Sequence, residues 1–274
     1  MQLNELSGQI PESFGFLNRI QELFLYNNSL TGPIPPAIFN ISSLQMIDLQ
    51  YNFLGSGVIP AEIGNMSALQ NLFLGSNNLT GELPFNFLNI SSLTKIGLGS
   101  NRFTGNLPED LCFMHPKLEY LELLSNQLYG QIPFSLSHCS ALYDIELGTN
   151  YFTGGIPAEI GNITDLQYLY LNNNSLTGGI PAEIGNITGL QYLYLSNNNL
   201  TGEVPFRYFN FSSLVELEIA GNGFSGSLPP DLCFRHPELE YLNLQQNQFN
   251  GQIPSSISHC SAMDTLDLAQ NKFT

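Results

Sequence analysis

The chain has 274 residues and carries 23 Asp and Glu against 7 Lys and Arg, a net charge of −16. That balance disfavours nucleic acid and anionic membrane surfaces and points to a basic partner. No apolar run approaches the ~18 residues of a membrane span, and no charged start followed by an apolar core marks a leader.

From the first residues onward one asparagine recurs, at Asn4, Asn28, Asn52, Asn77, Asn101, Asn126, Asn150, Asn174, Asn198, Asn222, Asn247 and Asn271, always 24 or 25 residues apart. No segment lies outside this series, so residues 1–274 form one domain of ten full repeats with a partial repeat at each end. A fixed short period predicts a solenoid of stacked turns with nearest-neighbour contacts. The unit is clearest at 166–189, LQYLYLNNNSLTGGIPAEIGNITG, followed at once by a near copy from Leu190. Leu169-Tyr170-Leu171 predicts a short strand in a stacked parallel sheet, leucines inward and alternate residues on the concave face. The repeated asparagine is expected to turn inward and bond the backbone of the neighbouring turn, because buried peptide groups need partners. Gly178 permits a bend, Ile180-Pro181 opens an extended segment on the far side, and Ala182-Glu183-Ile184-Gly185 predicts a 3-10 or helical turn.

Along the chain, Met1-Gln2-Leu3-Asn4 begins in mid-repeat, and Lys272-Phe273-Thr274 stops in one. Gly55-Ser56-Gly57-Val58 adds a residue to its turn. Residues 59 to 153 recur at an offset of 121, so that Leu111-Cys112-Phe113-Met114-His115-Pro116 returns as Leu232-Cys233-Phe234-Arg235-His236-Pro237, each with one extra residue. The array grew by copying a block of five repeats.

Leu176-Thr177-Gly178-Gly179-Ile180-Pro181 and its equivalents carry an L-t-G-x-I-P signature, and over its whole length the chain resembles the leucine-rich-repeat ectodomains of plant receptor-like kinases. The alternation of F-N-I-S-S-L, L-C-x-x-H-P, S-x-x-H-C-S-A and A-E-I-G-N-I-T turns is most similar to the immune-receptor type. The resemblance implies a right-handed α/β solenoid, a horseshoe or superhelix with a parallel sheet on its concave face and short 3-10 or helical turns on its convex face. It implies a ligand-recognition module at the extracellular face of the plasma membrane, part of a longer receptor in immune or developmental signalling. Its partners would be a peptide or protein ligand and a co-receptor leucine-rich-repeat kinase, with no cofactor, no nucleic acid and no membrane contact by this segment. Family members carry cysteine-bearing caps, so the bare ends imply a fragment lacking caps, membrane span and kinase. The rival resemblance is to secreted inhibitors of polygalacturonases, cell-wall-degrading enzymes; those are complete capped proteins, and the missing caps and block duplication favour the receptor.

The cysteines admit three readings. Cys112 with Cys139, and Cys233 with Cys260, fall in adjacent turns ~5 Å apart, within disulfide reach. Cys139 and Cys260 also occupy the slot held elsewhere by Ile41, Met66, Ile90, Ile163 and Ile187, as small core residues would. The least favoured reading joins His115 and His138 to the thiols as a metal site, without the usual ligand spacing. Ten sequons, at Asn27, Asn40, Asn65, Asn78, Asn89, Asn162, Asn173, Asn186, Asn199 and Asn210, are glycosylation candidates that place the chain in the secretory pathway; six share one repeat position on the outer face, and the alternative is that they are polar turn residues.

No catalytic motif is present: there is no G-x-S-x-G, H-E-x-x-H, phosphate loop or kinase signature. The x positions of L-x-x-L-x-L-x-x-N instead give a binding face rich in Tyr and acids. Tyr168, Tyr170, Tyr192 and Tyr194 are expected to form an aromatic floor between the pairs Asp144/Glu146 and Glu216/Glu218, with Tyr120 and Tyr241 beyond them. An extended basic peptide suits this face, the tyrosines supplying affinity and the acids, read as exposed and screened, setting rate and salt sensitivity. The bland alternative is that Tyr and Glu merely suit exposed strand positions.

Overall fold

A computed structural model describes residues 4–55, 57–84, 90–209 and 211–274. Each repeat contributes a three-residue strand to an eleven-stranded sheet running from Glu22–Phe24 to Thr265–Asp267, every strand parallel and in chain order. The strand of the repeat centred on Asn174 is Tyr168–Tyr170, one residue earlier than the leucine spacing suggests, because pairing begins at the outward tyrosine. Leu169 pairs in register with Ile145 and Leu193, and this central residue is buried in ten of the eleven strands. Within that one repeat Leu166, Leu169, Leu171, Leu176, Ile180, Ile184 and Ile187 all lie in the core, each contributing about 1.5–3 kcal/mol of burial. Phe103, Phe152, Phe224 and Phe249 take the place of Leu176 in other repeats and are fully buried.

The segment read as a glycine-permitted bend is a second strand. Ser175–Gly178 pairs with Tyr151–Gly154 and Asn199–Glu203 in a nine-stranded parallel sheet, and a further three strands, Ser7–Gln9, Ser29–Gly32 and Phe53–Leu54, form a separate one. Among the described residues the two are joined by the bridge Gly55 to Asn78, at the turn lengthened by one residue. The glycine does its work at the strand's end: Gly178 has φ +81°, a left-handed conformation that glycine enters without steric cost.

Proline then sets the convex side. Pro157 and Pro181, with φ of −62° and −61°, precede the 3-10 turns Ala158–Asn162 and Ala182–Asn186, where a missing N–H costs nothing. The turns stack so closely that a Cβ on Gly161 would run into the Glu183 carbonyl, and one on Gly185 into that of Tyr208. The two longer turns use their extra residue to close α-helical bonds: His115 N–H reaches the Leu111 carbonyl at 3.2 Å across Leu111–Met114, and Leu232–Arg235 repeats this. Cys112 on the first is disulfide-bonded to Cys139, and Cys233 on the second to Cys260, with Cα separations of 5.1 and 4.9 Å. The thiols are therefore spent on cross-links between adjacent turns, which removes the metal reading.

The asparagines bond in two repeats at once. Asn52 Oδ1 accepts the Leu30 N–H of the preceding turn at 3.0 Å, while its Nδ2 donates to the carbonyls of Leu49 in its own turn and Leu25 in the one before. The same pattern holds for Asn77, Asn101, Asn126, Asn150, Asn174, Asn198, Asn222 and Asn247; at the start of the array Asn28 accepts from Leu6 and donates to Leu25. The residue before each asparagine turns left-handed, φ 52–55° at Asn27, Tyr51, Ser76, Ser100, Ser125, Thr149, Asn173, Asn197, Gln246 and Gln270.

Candidate functional site: the concave face

Parallel register places the outward residues of the first sheet in columns. One runs Lys95, Tyr120, Asp144, Tyr168, Tyr192, Glu216, Tyr241 and the next Gly97, Glu122, Glu146, Tyr170, Tyr194, Glu218, Asn243. All ten residues expected on the binding face therefore lie on six consecutive strands. Tyr168 stacks on Tyr192 with ring centroids 5.0 Å apart, and Tyr170 meets Tyr194 edge-on at 4.7 Å. Such contacts hold the rings in one arrangement before any ligand arrives. Tyr194 donates its hydroxyl proton to Glu216 Oε2, tying the floor to the acidic pair beside it.

The other acidic pair departs from the exposed, screened patch expected. Asp144 is 8 % exposed, as it lies between Tyr120 and Tyr168 on the adjoining strands, and its Oδ1 has no hydrogen-bond partner. Glu122, also 8 % exposed, joins it; its Oε2 accepts the Gly99 N–H at 3.1 Å. Burial pushes Glu122 up to about 7 against the pull of that N–H, with the Glu146 charge adding to the rise. Burial, then Glu146 and Glu122, push Asp144 up to about 7, and burial raises Glu146 as well. The hydroxyls of Tyr120, Tyr170 and Tyr194 are raised too, first by burial and then by the carboxylates around them. Among the described residues no group of three His, Cys, Asp or Glu side chains is gathered closely enough to hold a metal ion.

Two residues of the site, Glu122 and Tyr143, lie outside the ten expected on the binding face. Glu122 is drawn inward because Gly97 and Gly99 leave the neighbouring strand bare; a Cβ on Gly99 would collide with the Glu122 carboxylate. The same bareness opens a shallow recess of about 270 Å³ lined by Gly75, Gly99, Tyr120, Glu122, Leu124 and Glu146 among others. Tyr143, one residue before the strand Asp144–Glu146, lies 6.3 Å from Tyr120 and under the Lys95 ammonium at 5.9 Å. The sequence signal for the inward turn of Glu122 and for the recess is Gly97, in a column where the strands on either side carry the large side chains of Phe73 and Glu122; Tyr143 has no such signal.

Of the sequon asparagines, Asn40, Asn65, Asn162 and Asn186 close 3-10 turns and are exposed on the convex side; Asn27, Asn78, Asn173 and Asn199 are exposed beside the ladder, and Asn89 and Asn210 lie outside the described residues.

Residues 19–41, 43–66, 68–90, 92–114, 213–234 and 238–260 each match the Leucine Rich Repeat family model, together about half the chain, and 164–208 match Leucine Rich repeats (2 copies). The chain belongs to the leucine-rich-repeat family. This leucine-rich-repeat array is similar to a probable LRR receptor-like serine/threonine-protein kinase of Arabidopsis thaliana, 51% identical over 49 residues, which are 18% of the chain and 4% of that kinase. Among solved structures it superposes on the plant peptide hormone receptor RGFR1 in complex with RGF2, with a TM-score of 0.92 and 35% identity over 99% of the chain and 43% of that receptor. The Arabidopsis receptor kinase HAESA, in complex with the peptide hormone IDA and the co-receptor SERK1, matches with a TM-score of 0.94 and 33% identity over 100% of the chain and 45% of its own. The leucine-rich-repeat chain thus spans less than half the length of each of these two solved chains, and no described helix is long and apolar enough to cross a membrane.

Proposed function

We propose that this array is the ligand-reading part of a plant receptor-kinase ectodomain, binding an extended peptide along the stripe from Tyr120 to Tyr241. The observation that carries this reading is the coincidence of two facts. The whole chain superposes on receptors whose solved complexes hold peptide hormones, and its concave face carries pre-stacked tyrosines flanked by acids in register. Rigid aromatic area of this kind concentrates binding energy, whereas the flanking charge selects a basic partner and speeds its approach. In this reading the segment lies outside the cell, has no catalytic role, and transmits occupancy by offering an edge to a co-receptor; the signal is immune or developmental. Glycans on Asn40, Asn65, Asn162 and Asn186 would clothe the convex turns and leave the concave face open.

Selection of a displayed library of extended peptides on the immobilised chain tests this. Enriched peptides should be basic and should lose more than about 2 kcal/mol of affinity on Tyr170→Ala combined with Tyr194→Ala. Indifference to those changes, with loss on convex-face changes such as Glu183→Ala, would place the ligand elsewhere.

A further inference from the structure

The acids at the N-terminal side of the tyrosine floor are more buried than rate-setting charges need to be. Asp144 is over nine-tenths buried with an unpartnered Oδ1, and Glu122, equally buried, has one hydrogen bond. Leaving a carboxylate oxygen so placed is costly, and the fold does not require it. In the copy of this block 121 residues later, where the disulfide Cys233–Cys260 and the ladder bonds of Asn247 are reproduced, Glu122 becomes Asn243 and Asp144 becomes Thr265. The Asn243 side chain there accepts the Gln245 N–H at 3.0 Å, a local bond within its own strand turn. The acids at 122 and 144 are thus an addition to a scaffold that stands without them.

What they lack is a cation. Lys95 faces the Tyr143 ring, and the carboxylates are raised by burial and then by one another, with no basic group lowering them. The three are not gathered as metal ligands. Tyr120 and Tyr168 stand on the strands either side of Asp144, and Tyr170 on the strand beside Glu146. Separated acids between aromatic rings suit a broad, planar, weakly hydrated cation that can donate in several directions and stack by its face, which describes guanidinium better than ammonium.

Resting on the peptide-binding reading above, we infer that the niche of Glu122, Asp144 and Glu146 is the seat of an arginine side chain of the ligand, its guanidinium donating to Asp144 and Glu146 against the Tyr120 and Tyr168 rings. Seating it requires the carboxylates to be ionised, so binding releases protons. The titratable groups facing the niche are Lys95 from one side, Tyr120, Glu122, Tyr143, Asp144 and Glu146 within it, and Tyr168 and Tyr170 from the other. With Glu122 and Asp144 raised by burial to about 7, affinity for the cation rises as pH rises through that value.

The probe is a blocked pentapeptide, acetyl-Gly-Gly-Arg-Gly-Gly-amide, titrated into the full chain while the tyrosine ring resonances are followed by NMR. Citrulline, isosteric and neutral, and lysine replace arginine in parallel titrations. Arginine should bind more tightly at about pH 8 than at about pH 5.5, and replacement by citrulline or the variant D144N should weaken it by about tenfold or more. E146Q serves as the second variant should D144N fail to fold, and E159Q on the convex side should change nothing. Equal binding of arginine and citrulline, indifference to both niche variants, or no binding at all would overturn the arginine seat. Library-selected peptides that depend on Tyr170 and Tyr194 but not on Asp144 or on an arginine would sink the seat alone and leave the peptide-binding reading standing.

Discussion

Asn77 Nδ2 donates at 3.0 Å to the carbonyl of Leu49, 28 residues earlier, while its Oδ1 accepts the Leu54 N–H at 3.0 Å. The same Nδ2 donates to the Leu74 carbonyl of its own turn at 3.0 Å, so one buried amide satisfies backbone groups in two adjacent turns. Asn77→Ala would orphan them inside the core, and a loss of about 2–4 kcal/mol is expected. Asn78→Ala, next along the chain but exposed, should cost less than about 0.5 kcal/mol. Urea unfolding of the two variants separates them.

The stacking of the convex turns yields a similar contrast. At Gly161 a Cβ would meet the Glu183 backbone, which cannot swing aside as a side chain could, whereas Gly189 has nothing within 4 Å. Gly161→Ala should destabilise by about 1–3 kcal/mol and Gly189→Ala by almost nothing, as read from thermal midpoints.

Each disulfide closes a loop spanning 27 residues between adjacent turns. Replacing Cys112 and Cys139 by serine should cost about 3 kcal/mol through the freed unfolded chain. Because a solenoid couples mainly to its nearest neighbours, the loss should be regional. Amide exchange should accelerate around Leu111–Met114 while the turns near Asn198 keep their protection.

Buried acids give the molecule a pH dependence of definite sign. Folded Glu122 and Asp144 hold their protons up to about pH 7, and in an unfolded chain they release them near pH ~4. Between those values the folded state binds more protons, so stability is full below the lower value and declines as pH rises through the upper one. A fall of about 2 kcal/mol from pH ~5 to pH ~8 is expected in urea unfolding, flattened in D144N. An unchanged slope in that variant would assign the fall to general repulsion in this acidic chain.

Much of this was legible in the residues, and the failures have physical causes. The period of Asn28, Asn52 and their successors yields the stacked sheet because every turn must satisfy the same backbone groups. The columns of Tyr168, Tyr192 and Glu216 follow once the register is known. The second sheet is hidden because Leu176-Thr177-Gly178 is short and ends in glycine, a turn residue by composition, and only the pairing of Leu176 with Gly154 on one side and of Gly178 with Leu200 on the other makes it a strand. The burial of Asp144 is set by tyrosines one repeat away and that of Glu122 by the missing side chains of Gly97 and Gly99, so neither shows in its own repeat. The disulfides needed a distance, since the slot of Cys139 and Cys260 accepts isoleucine in other repeats.

The in-register sheet is also a ruler. From Tyr120 to Tyr241 there are five strand-to-strand steps, about 24 Å at the usual spacing, and an extended peptide laid across the strands covers that distance with about seven residues. On the proposed peptide-binding reading, the number of repeats between Tyr120 and Tyr241 therefore fixes the length of message this surface accepts. Trimming a bound peptide from either end should leave affinity level until about seven residues remain, and insertion of one whole repeat between Asn174 and Asn198 should lengthen that minimum by one or two.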